Sequence, residues 1–88
     1  MPDRRSSLRR RAYLGGRAVF ADGSQSYECL VLNFSDGGAE LNASGVTLLP
    51  HTFDLVVPVK ARTYRARICW RRDDWVGVEF IDSAALRD

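Results

Sequence analysis

Apolar and polar residues alternate along much of this chain with the period of two that marks β-strands. The clearest run is 62–70, where Tyr64, Ala66, Ile68 and Trp70 share one face and Arg65, Arg67 and Cys69 share the other. Residues 75–81 repeat the pattern, with Val76, Val78 and Phe80 on one face. Residues 17–21, 27–34 and 52–57 are short runs rich in β-formers, and 39–41 opens a further strand that fades by Ser44-Gly45. Turn residues separate the runs. Gly15-Gly16 break the chain before the first strand, and Asp22-Gly23, Asp36-Gly37-Gly38 and Asp73-Asp74 read as tight turns. Pro58 stops the 52–57 run, because proline cannot donate to a ladder. Only 83–86 looks helical, with Ser83 as a cap and too few residues to extend far.

Six short strands with almost no helix predict an all-β fold, an antiparallel barrel or a two-sheet sandwich. Closure suits so short a chain, since a closed sheet leaves no edge exposed. The expected organisation is a basic arm over 1–16, a six-stranded β-barrel over 17–82 and a tail over 83–88. At 88 residues the chain has no room for a separate cofactor domain. No apolar run approaches the ~20 residues of a helical membrane span, and no stretch has the order of a secretory leader. Two cysteines, Cys29 and Cys69, are too few for a disulfide scaffold and read as reduced thiols in a cytoplasmic protein. With one histidine, His51, in a loop, no metal cluster is expected.

Charge changes this picture. Residues 1–17 hold six arginines against one acid, whereas 18–88 hold seven bases against ten acids. A mildly acidic body therefore carries a strongly basic head, which seeks phosphate. Every base in the head is arginine, whose planar fork pairs with phosphate or a guanine edge and whose flat face stacks on a base. Two motifs bear on the choice. Arg5 and Arg9 form an R-x-x-x-R pair, and Asn33-Phe34-Ser35-Asp36-Gly37-Gly38 forms an N-x-S-x-x-G at a strand end. Each alone has an ordinary reading, chance in an arginine-rich stretch for the first and a plain turn for the second.

Their order and spacing, 24 residues apart, resemble the PilZ domain family, whose signature is RxxxR followed by [D/N]xSxxG. The strand Arg17-Ala18-Val19-Phe20, then Ile68-Cys69-Trp70-Arg71 and Gly77-Val78-Glu79-Phe80, resemble further PilZ elements in order. The likeness covers roughly residues 3–82. It implies a six-stranded barrel that binds cyclic di-GMP on its outer wall. By position, Arg5 and Arg9 would hold guanine edges and phosphates, while Asn33, Ser35 and Gly38 would face the other guanine. Arg4, just before the motif, bears on whether one ligand or an intercalated pair is bound. Arg10 would share a role if the register slips, since Arg10 and Arg11 stand where many members have apolar residues or proline.

The resemblance implies a non-enzymatic regulatory module without a cofactor, in which a flexible arm closes over its ligand and presents a changed surface to an unidentified downstream protein. Two other readings fit the residues: a small barrel that binds nucleic acid through its basic head, and a PilZ-like adaptor that binds no nucleotide. By its faces, Trp70 is expected in the core, while Trp75 is a candidate stacking platform for a base.

Overall fold

The computed structural model of the chain describes residues 14–43 and 48–85. Six antiparallel strands are present among them: β1 (Leu14–Phe20), β2 (Gln25–Leu32), β3 (Gly38–Asn42), β4 (Thr52–Val57), β5 (Arg62–Arg72) and β6 (Trp75–Ala85). They close into a barrel in the order β1-β2-β3-β6-β5-β4, with β4 returning to β1. The expected arm residues Arg4, Arg5, Arg9 and Arg10 lie outside the described residues.

The turns follow from their residues. Between β1 and β2, Ala21, Asp22 and Gly23 all take positive φ, and Gly23 N–H donates to Phe20 O at 3.1 Å. Between β5 and β6, Asp73 takes φ 53° and Arg72 pairs directly with Trp75. After β4, Pro58–Lys60 make one 3-10 turn that ends on left-handed Ala61. Pro58 thus stops its strand as the sequence predicts.

The core lies inside the barrel and is built by alternation. On β4, Phe53, Leu55 and Val57 point inward between partly exposed Asp54 and Val56. Val31, Leu41 and Val76 are fully buried beside them. Burying each such side chain contributes about 1.5–3 kcal/mol. An aromatic cluster closes one end of the barrel. Tyr64 stacks on Phe80 at 4.4 Å between ring centroids, and Phe34 meets both rings at 5.4 and 5.6 Å.

Three expectations are corrected. The first strand begins at Leu14, not at residue 17, because Gly15 and Gly16 pair with Leu30 and Cys29 instead of breaking the chain. Ser83–Ala85 are strand and not helix, since they pair with Tyr64, Thr63 and Arg62 of β5. Trp70 is not in the core but 44% exposed. The cause is a bulge: Ile68 pairs with Val78 and Trp70 with Gly77, so Cys69 is an extra residue. One added residue reverses which face the following side chains take. Trp70 therefore turns outward, and Arg71, also exposed, donates from its Nη2 to Leu49 O at 2.7 Å.

Candidate functional site

The N-x-S-x-x-G segment forms the connection from β2 to β3. Asn33 ends β2 by adopting left-handed φ 51°, a conformation asparagine tolerates better than most residues. Its Nδ2 donates to Glu40 Oε1 at 3.0 Å. Ser35 closes the loop: its N–H donates to Gly38 O at 2.9 Å, and its Oγ accepts from Gly37 N–H at 3.3 Å. Gly37 O in turn accepts from Phe80 N–H at 2.9 Å, which ties the loop to β6. Phe34, between the two polar motif residues, anchors the loop in the aromatic cluster, with Lys60 Nζ 5.0 Å from its ring centroid.

Gly38 is glycine because the backbone of β6 comes close to it. It pairs with Glu79, and a Cβ there would collide with the Val78 carbonyl of β6. Its missing side chain lets two strands approach, rather than making room for a ligand.

Asn33, Ser35 and Gly38 are brought together on a shallow groove of about 270 Å³, which Glu40, Cys69 and Trp70 also line. Glu40 and Trp70 also line an adjoining cleft of about 580 Å³ with Arg71, Arg72 and Trp75. Glu40 and Trp70 thus line both hollows, on the outer wall of β3 and β5. Trp70 lies across Gly77, where any side chain would strike the indole. Sequence reasoning missed Trp70 and Glu40 as parts of this wall. The bulge at Cys69 leaves no mark in the hydrophobic pattern, and Glu40 reads as an ordinary polar strand residue.

The motif arginines Arg5 and Arg9, with Arg4 and Arg10, fall outside the described residues. Their point of attachment does not. Leu14 pairs with Val31, two residues before Asn33. The chain preceding Leu14 therefore joins the barrel at the end that carries the Asn33–Gly38 loop. Arg9 stands five positions before Leu14, a reach of at most about 18 Å.

Elsewhere the wall is charge-paired. Arg67 bonds Glu79, Arg65 lies 3.3 Å from Asp54, and Arg17 lies 3.3 Å from Glu28. Such exposed pairs contribute about 0–1 kcal/mol each. Arg72 makes no ion pair with any described residue. Both cysteines are free thiols: Cys69 is exposed, while Cys29 is partly buried, and that burial pushes its pKa up to about 11. Among the described residues no group of His, Cys, Asp and Glu is suited to a metal ion, and no helix is long and apolar enough to cross a membrane.

No curated protein and no solved structure matches this chain. The family model of the PilZ domain does match, over residues 3–88. That span runs from the arginine-rich head through all six strands, and with it the chain belongs to the PilZ domain family, a family of cyclic di-GMP-binding regulatory modules.

Proposed function

We propose that this domain is a receptor for cyclic di-GMP, which bridges the N-terminal arginines and the Asn33–Gly38 loop. The observation that carries this reading is the pairing of Leu14 with Val31, which puts the start of β1 at the end of the barrel that carries that loop. The ligand has two phosphates and two guanines, and the residue types fit both. Arg5 and Arg9 bind phosphate oxygens and guanine O6/N7 through charge-assisted bonds of about 1.5–3 kcal/mol each. Asn33 and Ser35 supply short polar groups on a loop already held by its own hydrogen bonds, so little ordering is needed there. Gly38 keeps that loop tight against β6. Trp70 offers an exposed aromatic face in the same groove. Arg4 and Arg10 add cationic contacts, and Arg4 favours an intercalated ligand pair.

Ordering the arm over the ligand costs roughly 1–2 kcal/mol per residue fixed, so several arginine contacts must act together. The ordered arm is the new surface read by a downstream protein, and the domain itself does no chemistry. It works in the cytoplasm, where it meets the messenger. Isothermal titration with cyclic di-GMP, with cyclic di-AMP as control, tests this. Saturable heat with the guanine ligand alone is expected. Absence of binding at high micromolar ligand overturns it.

A further inference from the structure

We infer that the cleft beside the motif groove is a second guanine-nucleotide subsite, built by Trp75 and Arg72 with Glu40 as its base-reading group. This deepens the reading above and rests on it for the identity of the natural ligand. The argument starts from strand register. Arg72, Trp75 and Asn42 lie in one cross-strand row, and Trp70, Gly77 and Glu40 lie in the next. The bulge at Cys69 turns Trp70 and Arg72 onto the outer wall together. Both tryptophans of the chain thus line one cleft of about 580 Å³. That size falls in the range of small-molecule sites.

The chemistry of the lining selects a ligand class. Indole faces stack on planar bases. The Arg72 guanidinium has no acidic partner among the described residues and lies at the edge of the cleft, suited to a phosphate. Arg71 is already committed to Leu49 O and serves as a fixed wall. Glu40 distinguishes between bases. Its Oε1 accepts from Asn33, while Oε2 accepts from no described residue. A carboxylate oxygen accepts from the N1–H and N2–H₂ edge of guanine, but adenine places a lone pair at N1 and repels it. The shared ligand chemistry is a guanine base with an attached phosphate. It comes either from the far half of the dinucleotide held in the motif groove or from a second molecule.

Tryptophan emission reports this cleft, which both tryptophans of the chain line; Trp70 also lines the motif groove, so the response of Arg72→Ala assigns the signal to the cleft. Titrating the intact chain with 5′-GMP should quench that emission saturably, with 5′-AMP at least about tenfold weaker. Arg72→Ala and Glu40→Gln should each weaken the GMP response about tenfold at unchanged denaturation midpoint. Arg17→Ala, which removes the same charge from β1, should leave it unchanged. Quenching that never saturates, an equal response to AMP, or equal responses from wild type and Arg72→Ala overturns the inference. Calorimetry with cyclic di-GMP then identifies the source. Two ligands per chain falling to one in Arg72→Ala indicate a second molecule, whereas one weakened ligand indicates a single bridging one. A chain that takes GMP in this cleft but ignores cyclic di-GMP would sink the proposed function and leave the subsite standing.

Discussion

The indole of Trp70 occupies the space that a side chain at Gly77 would need. The two residues face each other across β5 and β6, next to the bulge that turns Trp70 outward. A glycine is costly in a strand interior, and here its absent side chain lets an aromatic plate lie flat on the barrel wall. Gly77→Val should therefore lift the indole off the wall. The expected result is a loss of about 1–3 kcal/mol in urea denaturation, as for other overpacked sites, with a red shift of tryptophan emission. An unchanged spectrum would mean that the indole is not seated on Gly77.

Gly38 tests what the motif glycine is for. A Cβ at this position meets backbone, which cannot swing aside as a side-chain tip does. Gly38→Ala should lower stability by roughly 2–3 kcal/mol, at the upper end of overpacking costs. Ser35→Ala removes only exposed hydroxyl bonds and should cost about 0.5–1.5 kcal/mol. Denaturation midpoints of the two variants check the order. If Gly38→Ala is as stable as wild type, the close approach of β3 and β6 is not what requires glycine.

Much of this fold was legible in the alternation. The inward residues of β4 and β5 up to Ile68 follow the period-two pattern, and Pro58 and Asp73-Asp74 mark where strands stop. Tertiary pairing decided the rest. Gly15-Gly16 read as a break because glycine has little strand preference, yet the partner residues Leu30 and Cys29 hold them in the ladder. Ser83–Ala85 read as helix from composition, and pairing with β5 overrides so weak a local preference. Trp70 was misplaced because a bulge inserts one residue without changing the apolar pattern around it. For the candidate site, the Asn33–Gly38 motif could be found from its spacing. The rest of the groove lining, Glu40 and Trp70, is assembled only by the register of three strands.

The arm arginines should behave differently from the loop. Arg5 and Arg9 belong to a segment that precedes the first barrel strand, so their loss should spare the barrel. Arg5→Ala or Arg9→Ala is expected to weaken cyclic di-GMP binding at least about tenfold, on the order of 1.4 kcal/mol, with the thermal midpoint of the free protein unchanged. Titration calorimetry paired with a melting curve checks both halves. Near-wild-type affinity in both variants would remove the arm from the site.

Cys29 gives the barrel a dependence on alkaline pH. Unfolded, its thiol ionises near the ordinary 9.0, while burial in β2 holds the proton up to about 11. Between those values the unfolded chain has released a proton that the folded chain still binds. Raising the pH therefore favours unfolding, and the stabilisation present below pH 9 is lost as pH climbs toward 11. The loss attributable to this one group is on the order of 2 kcal/mol. The comparison is with Cys29→Ala, which lacks the thiol and should show the shallower decline. Urea midpoints at about pH 8 and about pH 10.5, well below and near the folded value, measure the difference. Labelling with a thiol reagent adds an independent check: exposed Cys69 should react first, and Cys29 only as the barrel opens. Parallel pH profiles for the wild type and Cys29→Ala would show that this thiol is not shielded as its position in the wall implies.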